Sequence, residues 1–310
     1  MWKYICKRIL MIIPTVLAVT FIIFAILEFT PGDPVRMMLG PDAPESAVVE
    51  MREKMGLDQP FLQRYVNYLG DLLHGDFGFS YSTRLPVMDT VIENYPITFK
   101  LAVASMLIAT VLGVSLGILS AVKQYSFLDN SLRTLAMVCA TIPEFWLGMM
   151  LIIFFSLKLD LLPVSGVESW TSYILPALSG GIPASAGILR MTRTTMLEEI
   201  RQDYVRTARM KGIPERVVIW YHALRNALLP VTTVIISSFG YLMGGTVIIE
   251  SVFSLPGMGA MTVNAIRSKD TPQVMASVIV LSINFALVML LLDLVHAFLD
   301  PRVKAKYAKR

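Results

Sequence analysis

Few side chains in this sequence stand at spacings that would support catalysis or metal binding. His74, His222 and His296 are far apart along the chain and lack the spacing of metal ligands. The sequence contains no G-x-x-x-x-G-K-[ST] phosphate loop, no H-E-x-x-H pattern and no G-x-S-x-G pattern. We therefore expect no catalytic residues, no metal site and no nucleotide site in this chain.

Two acidic residues, Glu144 and Asp293, fall within long apolar runs. Buried carboxylates of this kind can relay protons in transporters that use an ion gradient. Both residues lie near the predicted cytoplasmic ends of their helices, where a charge reaches the lipid headgroups at low cost. We interpret them as interfacial charges, and an ion-gradient-driven secondary transporter remains the alternative from a different class.

The most informative polar residues lie in a basic segment, 190–227. Helix-forming residues run from Glu198 to Lys211 without an internal Gly or Pro. Gly212 suits the left-handed residue that ends a helix, and Pro214 suits the first position of a second helix. The segment therefore predicts a helix, a sharp turn and a second helix on the membrane surface.

One face of the first of these helices combines an aromatic, a small and a basic side chain at helical spacing, formed by Ile200, Tyr204, Ala208 and Lys211. Ala208 is small enough to admit a partner closely, and Arg206 and Arg209 supply charge at the rim. Such a helix can enter a partner's groove or rest on anionic lipid, and the spacing leaves both open. Nucleic-acid binding is not predicted, because stacking aromatic residues are not interleaved with these charges.

The elements that position this segment must lie in a membrane. Apolar residue types make up 55% of the 310 residues and charged types 16%, whereas a soluble domain is about a quarter charged. A spanning helix needs about 20 mostly apolar residues. Six segments qualify, so we predict an all-α polytopic protein with helices at 9–29, 97–122, 132–157, 173–189, 228–249 and 274–299. Gly180, Gly181 and Pro183 predict a break in the fourth.

The distribution of basic residues sets the expected orientation. Eight basic residues lie between Arg190 and Arg225, and others cluster at both ends of the chain, whereas the short outer loops carry only Lys158, Arg267 and Lys269. Because basic residues favour the cytoplasmic side, we expect both termini in the cytoplasm. The predicted organisation is a first segment and span at 1–30, an acidic helical region outside the membrane at 31–96, and a five-helix core at 97–310.

The basic segment resembles a known element of bacterial membrane proteins. The run Asp203–Gly212, with Ile213, Pro214 and the later Ala227-Leu-Leu-Pro230, resembles the "EAA" loop of ABC-importer permeases. This chain has Arg206-Thr207-Ala208 where that loop often begins Glu-Ala-Ala. Further short motifs resemble the binding-protein-dependent dipeptide, oligopeptide and nickel permeases in order and spacing, namely Pro31-Gly-Asp-Pro34, Gly56-Leu-Asp-Gln-Pro60, Gly75-Asp-Phe-Gly78, Gly245–Glu250, Phe253–Gly259 and Leu299-Asp-Pro-Arg302.

This resemblance implies a type I ABC-importer permease fold with a cytoplasmic coupling helix, in a bacterial inner membrane. It implies a second homologous permease in a heterodimer, two ABC ATPase subunits that hold ATP and Mg, and an external substrate-binding protein. The implied cargo is di- or oligopeptides, with glutathione and nickel chelates as alternatives. The implied ATPase-coupling residues are Asp203, Tyr204, Arg206, Thr207, Ala208, Arg209, Lys211, Gly212 and Pro214.

Two further sets of residues follow from the same resemblance. Polar residues in the fifth and sixth spans are candidates to line the translocation path, namely Ser237, Ser238, Tyr241, Thr246 and Asn284. Apolar residues of the outer loop, 250–273, are candidates to dock the binding protein, namely Phe253, Leu255, Met258 and Met261. The alternative for that loop is a cap that packs on its own helices. Two glycine pairs with four-residue spacing, Gly113 with Gly117 and Gly240 with Gly244, predict close helix–helix contacts.

Overall fold

The computed structural model describes residues 2–30, 32–40 and 42–299. Pro31 of the Pro-Gly-Asp-Pro motif, the Asp-Pro-Arg end of the last motif and both chain termini lie outside the described residues. Within the described part, helices account for nearly all regular structure, and the only β pairing is an isolated antiparallel bridge between Phe79 and Pro86. The all-α prediction is therefore confirmed.

The α-helices fall into two halves of the chain. The first half contains α1 (Trp2–Phe29), α2 (Pro34–Leu39), α3 (Glu45–Lys54), α4 (Phe61–Leu73), α5 (Val87–Val122), α6 (Phe127–Thr141) and α7 (Glu144–Leu151). The second contains α8 (Ile174–Ile200), α9 (Asp203–Met210), α10 (Glu215–Val217), α11 (Leu224–Gly245), α12 (Val247–Val252), α13 (Met258–Arg267) and α14 (Thr271–Leu299). Two π-helical segments, Ile152–Lys158 and Val218–Ala223, extend α7 and precede α11.

Five helical stretches in the described residues are long and apolar enough to cross a membrane. The third predicted span, 132–157, is wrong as a single helix. It consists of two helical pieces, Phe127–Thr141 and Glu144–Lys158, that meet at an angle of 100°. Ile142 is extended, with ψ 124°, because the ring of Pro143 disfavours helical backbone in the residue before it. If the bent pair is one span, the total is six.

The fourth predicted span shows the opposite outcome. The expected break at Gly180, Gly181 and Pro183 is wrong, because α8 is one continuous helix of 27 residues. A Cβ on Gly181 would lie 2.7 Å from the Ser105 carbonyl oxygen, so this glycine admits the backbone of α5 at close range. Neighbouring helices thus hold α8 straight through its proline.

The chain divides into two compact units. Of the described residues, the first contains 2–4, Phe99–Leu255 and 287–299. In it, α5 and α8 pack closely, because a Cβ on Gly113 or Gly117 would lie 2.6 Å from the Cβ of Ile188 or Thr192. The predicted close contact at this glycine pair is confirmed. At Gly244 of the second predicted pair, nothing in the described part of the chain lies within 4 Å of an added Cβ, so a close contact is not found there.

The second unit contains Ile5–Thr98 and Pro256–Ala286. Its apolar clusters join α1 to α4 through Phe24 and Tyr65, and α5 to α13 through Val91 and Met258.

Candidate functional site

The basic segment does not form the single helix predicted over Glu198–Lys211, because α8 ends at Ile200 and a separate short surface helix, α9, begins at Asp203 and rests on the core of the first unit. Val205 and Ala208 of α9 are buried, at 0% and 5% exposure. They cluster with Met196 of α8, Ala223 of the second π-helical segment and Leu224 of α11. These two residues lie three positions apart and so share one face of the helix. The packing of that face fixes α9 on the ends of the membrane helices.

A glycine ends α9 in the manner the sequence predicts. Gly212 has φ +74°, a left-handed conformation that glycine adopts without steric cost. The Gly212 N–H donates to the Arg209 carbonyl at 3.0 Å, and the Ile213 N–H donates to the Ala208 carbonyl at 3.3 Å. These two bonds form a Schellman motif. Pro214 stands one position earlier than predicted, at the N-cap of α10.

Tyr204 connects α9 to both neighbouring elements. Its hydroxyl donates to Glu199 Oε2 at 2.5 Å and accepts from Asn226 Nδ2 at 2.9 Å. Burial and the neighbouring Glu199 raise the pKa of Tyr204 to about 12, so the phenol stays protonated at neutral pH. The hydroxyl thus bonds α9 to the end of α8 and to the start of α11.

An ion pair connects the residues on either side of the turn at Gly212. Arg209 donates through Nε and Nη2 to the two carboxylate oxygens of Glu215, at 3.0 and 2.7 Å. This bond raises the pKa of Arg209 above its usual range, which keeps the guanidinium charged. The pair joins α9 to α10 across the turn. We call the region Asp203–Glu215 the hairpin.

The outward face of the hairpin differs in part from the predicted stripe. Ala208 faces the protein's own core, so the prediction that it admits a partner closely is not met in this structure. Met210, which the sequence reasoning missed, is 84% exposed. The outward face of α9 combines charged, hydroxyl and thioether groups, namely Asp203, Arg206, Thr207 and Met210, followed by Lys211.

A buried ion pair near the hairpin was also missed. Asp129 of α6 is fully buried and accepts two bonds from Arg193 of α8, from Nε and Nη2, both at 2.8 Å. The Ser120 hydroxyl of α5 and the Tyr125 N–H also donate to Asp129, at 2.5 and 3.0 Å. One carboxylate therefore connects three helices of the first unit. No sequence spacing indicates this pairing, because its members are 64 positions apart.

The predicted path residues occupy different environments. Ser237 and Ser238 are half-buried, whereas Tyr241 is 66% exposed. Thr246 is buried, and its hydroxyl donates to Glu250 Oε1 at 2.9 Å. In the second unit, the Tyr95 hydroxyl donates to Asn284 Oδ1 at 3.1 Å. Thr246 and Asn284 thus make bonds within the chain, and Tyr241 is the one path candidate among the five that is largely open.

The predicted docking residues of the outer loop are mostly buried. Phe253 and Leu255 are each 1% exposed, and the Phe253 ring lies against Gly148 of α7, where an added Cβ would be 3.0 Å away. In the second unit Met258 is fully buried, and Met261 packs against the same cluster. The prediction that Phe253, Leu255 and Met258 present a docking surface is therefore wrong in this structure. The alternative of an internally packed loop agrees with it.

The family described as "Binding-protein-dependent transport system inner membrane component" matches residues 113–305, and its N-terminal counterpart matches residues 1–102. The chain belongs to this family. It is an inner-membrane permease with several membrane-spanning helices, and no group of three or more His, Cys, Asp or Glu residues in its described part could hold a metal ion.

The permease is similar over nearly its whole length to curated relatives. It is 37% identical over 306 residues, 99% of this chain and 100% of each relative, to the "Glutathione transport system permease protein GsiC" of Escherichia coli strain K12 and of Shigella dysenteriae serotype 1. The structure also matches the "Crystal structure of an amino acid ABC transporter with histidines", with TM-score 0.54 and 13% identity, covering 67% of this chain and 94% of that chain. That likeness shows the shared permease fold alone.

Proposed function

We propose that this permease takes part in the ATP-driven uptake of short peptides delivered by an external binding protein, with the tripeptide glutathione as the first substrate to test. The permease role follows from the family. The full-length similarity to glutathione permeases supports the substrate. The observation that carries the ATP-driven mechanism is the hairpin, whose inner face is fixed in the core while its outer face stays free.

ATP and Mg belong to two partner ATPase subunits in this proposal. The outward face of α9, from Asp203 to Lys211, enters a groove on one ATPase as a coupling helix. Closure of the ATPase pair displaces the hairpin, and α8, which ends two residues before α9, carries that displacement into the membrane. Differential binding of the ATPases to two arrangements of the helices then drives transport.

The remaining partners occupy other surfaces. A second, homologous permease completes a heterodimer, and the path runs along the polar face of α11, which carries Ser237, Ser238 and Tyr241. Both termini lie in the cytoplasm. Because Phe253, Leu255 and Met258 of the outer loop are buried, we assign binding-protein docking to the acidic external region, residues 31–96. Its salt bridges Arg52–Asp33 and Lys54–Glu50 lie at the surface of that region.

Uptake competition tests the substrate. Vesicles that contain the whole transporter import labelled glutathione in the presence of unlabelled dipeptides, tripeptides, longer peptides or nickel chelates. We expect glutathione and other short peptides to compete, and uptake to stop without ATP. Competition by nickel chelates alone would contradict the peptide assignment. Uptake that survives ATP depletion but is abolished by an uncoupler would contradict the ATP-driven mechanism.

A further inference from the structure

A cavity of about 450 Å³ opens beside the hairpin in the first unit. Its walls come from the last turn of α5, the last turn of α8, the hairpin and the π-helical segment after it. Apolar side chains line part of it, including Ala121, Leu197 and Ile219. The volume lies within the range of natural ligand sites.

The charged residues that line the cavity are mostly basic. Arg201, Arg206 and Arg209 line it with one acidic residue, Glu215, so three positive charges face one negative charge and the net charge is +2. Glu215 is bound by Arg209 through both carboxylate oxygens. Among the described residues, Arg201 donates to a neutral group, Gln124 Oε1, at 3.4 Å. Two guanidinium groups therefore remain whose charge no lining carboxylate balances.

The position of the cavity indicates where its ligand comes from. The walls include Val122 and Ile200, the last residues of α5 and α8, and both helices belong to stretches long and apolar enough to span a membrane. A basic pocket at the cytoplasmic ends of spanning helices lies at the level of lipid headgroups. Guanidinium groups bind phosphate oxygens through paired hydrogen bonds, and adjacent apolar walls suit the start of an acyl chain.

We propose that this cavity binds the phosphate group of an anionic phospholipid, with Arg201 and Arg206 as its ligands. A lipid held there contacts α8 and the hairpin together and so stabilises the hairpin against α5. The proposal does not depend on which substrate is transported. It concerns the permease without its partners, because Arg206 also lies on the face of α9 that the proposed function places against an ATPase.

Native mass spectrometry of the full-length permease tests the site by titration with phosphatidylglycerol, and with phosphatidylcholine as a zwitterionic control. We expect one phosphatidylglycerol bound more tightly than the rest. Because each arginine near the headgroup contributes about 1 kcal/mol, Arg201→Gln and Arg206→Gln should each weaken that binding about fivefold. Arg216→Gln is the matched control, since Arg216 is an exposed arginine of the same segment that does not line the cavity. Thermal unfolding checks that all three variants fold.

Three results would overturn the proposal. Equal binding to the wild type and to Arg201→Gln would exclude the site, and equal weakening by Arg216→Gln would show a general effect of surface charge. A separate arm with inorganic phosphate measures hydrogen exchange of the hairpin amides. If inorganic phosphate protects those amides and phosphatidylglycerol does not, the ligand is a soluble anion and the lipid assignment is wrong.

Discussion

The hairpin and the outer loop, residues 250–273, were both predicted to contact a partner protein, but they differ in which of their side chains are buried. The hairpin buries Val205 and Ala208 and leaves its charged residues and Met210 outside. The outer loop buries Phe253, Leu255 and Met258. Burying an apolar side chain against helices of the same chain stabilises the fold, whereas leaving it exposed for a partner does not. We therefore take the exposed polar face of a helix whose other face is buried, as in α9, as a better indicator of a docking site than apolar residues in a loop.

Phe253→Ala tests whether the outer loop is packed inside the chain, and it has the largest expected effect. Because the ring is 1% exposed and lies against α7, its removal should lower the free energy of unfolding by about 3–5 kcal/mol. Thermal or denaturant unfolding in detergent measures this loss. Ile266→Ala is the control, because Ile266 is 49% exposed in the same loop and should change stability by less than about 0.5 kcal/mol. Unchanged stability of Phe253→Ala would restore the docking interpretation.

Gly212→Pro tests the hairpin at its turn. Proline fixes φ near −65°, far from the +74° of this residue, and removes the N–H that bonds to Arg209. We expect the hairpin to lose its turn at a local cost of about 3 kcal/mol, while the spans still assemble and substrate-stimulated ATPase activity is lost. Gly212→Ala keeps the N–H and should cost only about 1–2 kcal/mol. Normal stimulation in Gly212→Pro would contradict the coupling role.

The smallest expected effect is that of Glu215→Gln. The Arg209–Glu215 pair is 38% and 58% exposed, so its loss should cost less than about 1 kcal/mol, and less still at high salt. Unfolding of the wild type and the variant at low and high salt measures both differences. A larger, salt-independent loss would mean that the turn of the hairpin depends on this pair more than its exposure indicates.

Much of the fold was predictable from apolar run length, but not the shape of each span. The sequence around 142–143 contains the signal for the bend, since the residue before a proline avoids helical backbone. The run-length criterion ignored it. Gly180, Gly181 and Pro183 carry an apparently stronger signal for a break. It fails because α8 packs closely against its neighbours, with Gly181 against the backbone of α5, and those neighbours are not visible in a local window.

The site was predictable to a similar degree. The turn at Gly212 follows from local chemistry, and the structure has it. The direction in which α9 faces was not predictable, because Tyr204 and Ala208 fit an inward or an outward face equally well until α8 and α11 are in place. The Asp129–Arg193 pair and the arginine-lined cavity require residues distant in sequence, and only the folded chain brings them together.

Site-specific photo-crosslinking gives the most direct measurement of the proposed contact between the hairpin and an ATPase subunit. A photoreactive residue replaces Met210, 84% exposed on the hairpin, or Trp220, 56% exposed in the following π-helical segment, in the assembled transporter. We expect a crosslink to an ATPase subunit from position 210, with a yield that changes with nucleotide, and little or none from position 220. No crosslink from position 210, or equal yields from both positions, would contradict it.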